Sequence, residues 1–167
     1  MKADPACPGL PSTASGAPVS HSISQTARLH RIAAGRLLRD LGLYPGQEIV
    51  MMHLWDAGPV RQSELIKAVG LDPSTVTKML QRLEQSGHVR RCPDPSDRRA
   101  ALVEATGTSC ALKTQVEQAW RQLEDITLAG LDADERGELL RLLGRVEGNL
   151  CPQAREAAAD GACDAGA

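Results

Sequence analysis

Ser74, Thr75, Thr77, Lys78 and Arg82 place three hydroxyls and two cations within nine residues. At helical spacing Lys78 and Arg82 follow Ser74 by one and two turns, while Val76, Met79, Leu80 and Leu83 form an opposite, apolar side. Hydroxyls in the first half of such a helix read base edges or a thymine methyl, and Lys and Arg suit guanine or phosphate. The helix dipole attracts phosphate at the same end. Two plainer readings stand beside this one: Thr75 as a capping residue, and Lys78 and Arg82 as a solvated face. Ser63 adds a hydroxyl from a short segment just upstream. Downstream, Pro93-Asp94-Pro95-Ser96-Asp97 can only be a turn, and the Arg98-Arg99 pair at its tip suits the narrow, negative minor groove of duplex DNA.

The charge distribution agrees. The chain of 167 residues carries a net charge of -2, yet residues 61–99 hold eight basic and five acidic residues, a local net of +3, against an acidic remainder. DNA affinity depends on the charges that reach the backbone rather than on the total.

The elements that must position these groups follow from spacing. Ile23, Ala27, His30, Ala34, Leu37 and Leu41 recur at steps of four and three, which predicts a helix over about 22–41 that Gly42 ends. A second helix is expected with Pro45 in its first turn and Ile49, Val50, His53 and Leu54 on one face. Gln62–Val69 reads as a short helix ended by Gly70, and Asp72 caps the helix that Pro73 opens. Two helices joined by so tight a turn make a helix-turn-helix. His88–Cys92 and Ala100–Glu104 flank the wing turn as short strands, completing a winged helix over about 45–105. Thr106 is expected to cap a long helix carrying Leu112, Val116, Ala119, Leu123 and Ile126; Asp132 starts a last one carrying Leu139, Leu142, Leu143, Val146 and Leu150. The fold class is mostly α with a small β-hairpin wing. Residues 1–20 and 151–167, rich in Ala, Gly, Ser and Pro or Asp, are expected as disordered tails. The apolar stripes of helices 22–41 and 106–150 need a wider partner surface, which a homodimer supplies.

This order of elements resembles the MarR family of winged helix-turn-helix regulators. Residues carry the likeness too: Gln62-Ser63-Glu64-Leu65, Leu71 through Thr77, Leu80 through Glu84, Gly87 through Arg91, and the wing Pro93 through Arg99. It spans about residues 22–150, with residue-level detail over 62–106 and topology alone elsewhere. The resemblance implies a homodimeric, sequence-specific regulator that binds an inverted-repeat operator in double-stranded DNA as a repressor and is released by a small effector, phenolic or another small apolar acid. It implies Arg99 as the residue inserted into DNA and Asp97 as the carboxylate that orients it, with Arg98 on phosphate. A surface ion pair between Asp97 and Arg99 is compatible with that role. Effectors of the family bind where the dimerisation helices meet the DNA-binding lobe, which brings His30, Arg31, His53, Trp55 and Trp120 into consideration. Two departures stand out: Glu104-Ala105-Thr106 lacks the larger aliphatic usual before the Thr, and aromatic residues are only 2% with no Phe.

Five scattered cysteines, Cys7, Cys92, Cys110, Cys151 and Cys163, form neither a disulfide framework nor a metal site, so free thiols in the cytoplasm are expected. No cofactor, membrane segment or catalytic motif is expected. Two other readings remain: a winged helix that docks protein or RNA, and a thiol-based redox sensor using Cys92 or Cys110.

Overall fold

The computed structural model describes residues 15–97 and 100–163, with side chains through 152. Its helices are α1 (Pro18–Arg39), α2 (Gln47–Ala57), α3 (Gln62–Val69), α4 (Pro73–Gln85), α5 (Cys110–Thr127) and α6 (Ala133–Cys163). Strands β1 (Val60–Arg61), β2 (Val89–Pro93) and β3 (Ala101–Ala105) make an antiparallel sheet in the order β1-β3-β2. The chain divides into two compact units, Met1–Glu124 and Asp125–Ala167.

Within the first unit the expected winged helix is present. Asp72 accepts the backbone N–H groups of Ser74 and Thr75 at 2.8 and 3.1 Å, so it caps α4 as expected. Val76, Leu80 and Leu83 point inward and join Val50, Met51, Leu54, Leu65, Val89 and Val103 in one core. The sheet register, Val89 opposite Ala105 and Pro93 opposite Ala101, brings the two arms of the wing together.

Several boundaries differ from expectation. α1 begins at Pro18, inside the stretch expected as a tail. α2 begins two residues after Pro45, because Gly46 at φ 96° turns the chain first. Only glycine is at ease at that angle, and a Cβ there would lie 2.6 Å from the Met79 terminal methyl. On α2 it is Met51, not Ile49, that joins Val50 and Leu54 inside; Ile49 is exposed. Strand β1 was not expected, since two residues carry no periodicity; it pairs Val60 with Val103 and Arg61 with Leu102. Thr106 does not cap α5: a 3-10 turn over Gly107–Ser109 intervenes, and the Thr106 hydroxyl donates to the Gly87 carbonyl at 2.6 Å.

In the second unit Asp132 and Glu135 cap the start of α6 reciprocally, each accepting the other's backbone N–H. The helix continues beyond residue 150, where a tail was expected, to Cys163. The alanines at 157–159 are the strongest helix formers, which suits that extension.

Candidate DNA-binding surface

Helix α4 presents its charged residues outward. Ser74, Lys78 and Arg82 are exposed, while Thr75 and Thr77 are half-buried. Thr75 needs no capping role, because Asp72 fills it. Hydrogen bonds to Ser74 and Thr75 hold the Asp72 carboxyl below the usual carboxylate range, the Ser74 side chain contributing most. Thr77 donates its one hydroxyl proton to the Pro73 carbonyl at 2.8 Å and accepts from the Gln62 side-chain amide at 2.9 Å. Its hydroxyl therefore helps to fix α4 against α3. Arg82 lies over the Tyr44 ring, 4.9 Å from its centroid, which restrains a long side chain in the turn before α2. Ser63 is exposed on α3.

The arginines of the strands behave differently. Arg61 on β1 reaches Asp94 in the wing, with Nε at 2.8 Å and Nη2 at 2.6 Å from Oδ2. Ser96 donates its backbone N–H and hydroxyl to the other oxygen at 2.8 and 2.6 Å. The Asp94 side chain is only 6% exposed. These partners, the Ser96 hydroxyl foremost and then its N–H and Arg61, push the carboxyl down to about 2. Arg90 pairs with Glu104. Arg91 pairs with Glu84 at 2.9 Å and donates to Gln62 at 3.0 Å, linking β2 to both helices of the helix-turn-helix.

Asp97 is exposed, and its backbone closes the wing loop by donating to the Asp94 carbonyl and accepting from Ala100. Arg98 and Arg99 lie outside the described residues, so the expected Asp97–Arg99 arrangement does too. Sequence reasoning missed Asp94 as an anchor; Asp94-Pro95-Ser96 had been legible only as a turn. It also missed Tyr44.

The candidate effector residues separate into two places. Arg31 lines a groove of about 920 Å³ between α1 and the following turn, with Arg28, Arg36 and Arg39 around Ile32 and Tyr44. Trp55 and Trp120 line a smaller pocket of about 330 Å³ between α2 and α5. The Trp55 indole donates to the Ser109 hydroxyl at 2.9 Å. His30 and His53, both half-buried, line neither of these two pockets.

Comparison with known proteins places this geometry. The MarR family model matches residues 43–101, the span from within the α1–α2 turn to the first residue of β3. The HTH-type transcriptional repressor NicR of Pseudomonas putida is 32% identical over 128 residues, covering 77% of this chain and 81% of that protein. The chain belongs to the MarR family. Among solved members, a cysteine mutant of MarR from E. coli complexed with operator DNA has 28% identity and a TM-score of 0.74, over 82% of this chain and 99% of that one. BpsR of Bordetella bronchiseptica, whose DNA binding is regulated by 6-hydroxynicotinic acid, has 26% identity and a TM-score of 0.73, over 83% and 98%. As a MarR-family protein the chain is a sequence-specific, DNA-binding transcriptional regulator. No helix among the described residues is long and apolar enough to cross a membrane.

Proposed function

We propose that the protein is a homodimeric repressor of an inverted-repeat operator, released by a small aromatic or other apolar acid. The observation that carries the first half is the exposed row Ser74, Lys78 and Arg82 on a helix whose N-terminus is already capped. Ser74, Thr75 and Lys78 read base edges, with Thr77 offering its methyl. Arg82 holds phosphate or guanine, and Ser63 approaches the backbone. In the wing, Arg99 enters the minor groove, Asp97 orients it and Arg98 takes phosphate. A NicR-like repressor among the relatives and the operator complex of MarR support this reading.

Dimerisation through the first and last helices is supported by apolar residues left exposed in one copy, Ile23, Leu29 and Ile32 on α1 and Leu140, Leu143 and Leu150 on α6. Two recognition helices then meet half-sites about 10 bp apart.

The effector reading is supported by the arginine-lined groove, whose cations and apolar floor suit a carboxylate on a small ring. The regulation of BpsR by an aromatic acid agrees with that chemistry. A ligand weakens DNA binding only if it prefers a dimer with wrongly spaced recognition helices. The test is a panel of hydroxylated aromatic carboxylates scored for melting temperature and for release of a duplex selected by the protein from a randomised pool. Compounds that raise the first and cause the second are expected; stabilisation without release overturns the coupling, and a monomer in light scattering overturns the assembly.

A further inference from the structure

Asp94 is the one buried carboxylate among the described residues of the wing, and its four polar contacts go to two places: Ser96, inside the wing loop, and Arg61, on the edge strand β1. Arg61 is also the N-cap of α3, its backbone N–H accepted by the Glu64 side chain at 3.3 Å. One ion pair thus joins the base of the wing loop to the first helix of the helix-turn-helix. The sheet register alone leaves the loop free to pivot about the β2–β3 ladder, whereas a two-nitrogen contact to one carboxylate oxygen fixes it from the side.

We propose, resting on the reading above that the wing reaches DNA, that Arg61 and Asp94 are positioning residues for DNA binding: they set the pitch of the wing relative to α4. In this role Arg61 is not a phosphate contact, although it belongs to the basic segment, and Asp94 favours DNA binding although it is an anion beside a polyanion. The last point gives a test with opposite signs. By charge alone, removing a carboxylate near DNA strengthens binding. By positioning, its removal weakens binding.

The experiment measures binding of the full-length protein, wild type and variants, to a duplex that the wild type has selected from a randomised pool, across several salt concentrations. Asp94→Asn is expected to weaken binding by about tenfold and to lower the salt slope by about one per wing, as Arg99→Ala does. Arg61→Gln should match it, and the double variant should be no worse than either single. A purely structural role would lower the melting temperature or dimer content but leave the salt slope of the folded dimer unchanged, so both are recorded. Should Asp94→Asn fail to fold, Ser96→Ala, at the exposed rim, is expected to show a smaller loss of the same sign. Unchanged or tighter binding by Asp94→Asn, or by Ser96→Ala in its place, overturns the proposal. Additive losses also overturn it, since Arg61 would then touch phosphate itself. If Arg99→Ala leaves affinity unchanged, the wing is outside the interface and both readings fall; if only Arg99→Ala weakens binding, positioning alone falls.

Discussion

The wing base and the α1–α2 corner both carry charge, and they treat it in opposite ways. Around the wing each arginine of the strands has a carboxylate partner, and the buried Asp94 receives three hydrogen bonds and a second ion-pair contact from Arg61. At the corner, Arg28, Arg31, Arg36 and Arg39 line a groove without an ion pair among the described residues, and the buried Glu48 is held by backbone N–H groups rather than by a cation. At Asp94 compensated charge makes a rigid part, because removing Arg61 leaves a buried carboxylate without its cation. Uncompensated charge leaves a site able to accept charge from outside. The first suits a surface that must hold one shape against DNA, the second a surface that responds to a ligand.

The comparison is broken most directly on DNA. Lys78 has no ion-pair partner among the described residues, whereas Arg90, equally exposed, is tied to Glu104. Lys78→Ala is expected to lose about 1 to 3 kcal/mol on the selected duplex, roughly five- to 150-fold, with little change on random sequence. Arg90→Ala should change both by less than about threefold, since exposed pairs contribute little. Competition titrations decide; equal losses would mean that pairing does not determine which cations meet DNA.

A second, smaller effect sharpens the other half. Arg31→Ala or Arg39→Ala should weaken binding of a hydroxylated aromatic carboxylate by about tenfold, the size of a lost charge-assisted hydrogen bond, while DNA affinity without ligand stays unchanged. Calorimetry on the ligand and anisotropy on the duplex separate the two. Loss of DNA affinity would show that these arginines face phosphate instead.

The helix-turn-helix was legible because its signals are local: Asp72-Pro73 opens a helix, Gly70 closes one, and Val76, Leu80 and Leu83 repeat at helical spacing. The basic excess of residues 61–99 was legible as a sum but not by residue. Arg61, Arg90 and Arg91 counted toward it, yet their partners Asp94, Glu104 and Glu84 lie 33, 14 and 7 positions away and only the fold brings them together. The same limit hid Tyr44, whose contact with Arg82 crosses from a turn to another helix. Thr106 misled for a related reason: Thr before a helix usually caps it, but here the nearer acceptor is the Gly87 carbonyl.

A third prediction concerns the cap, where charge is partnered but exposed. Asp72→Ala should lower the melting temperature by several degrees at neutral pH. Because the folded Asp72 carboxyl titrates below its ordinary value, its contribution is complete above the unfolded value of 3.8 and fades as pH falls through the folded one. The variant and the parent should therefore converge in acid, and a difference that grows instead would exclude Asp72 as an ionised cap.

The smallest effect belongs to Glu48, the counterpart of Asp94 at the corner. Burial pushes its carboxyl above the ordinary 4.5, and the backbone N–H groups of Glu48 and Gly46 only partly offset that. Its side chain accepts the Gly46 N–H at 2.7 Å, a bond that an amide oxygen can also accept. Glu48→Gln thus keeps the contact and removes the cost of burying a charge, so the variant should be slightly more stable than the parent at about pH 8. A carboxylate with a raised folded pKa binds protons more tightly in the native state, so the parent gains stability as pH falls through that value. The advantage of the variant should accordingly shrink toward the unfolded value of 4.5, in the opposite sense to an ion-paired carboxylate. Melting curves of both proteins across that range check it. A variant less stable than the parent at pH 8 would mean that the ionised form of Glu48 has a cationic partner, and the contrast between wing and corner would lose its second half.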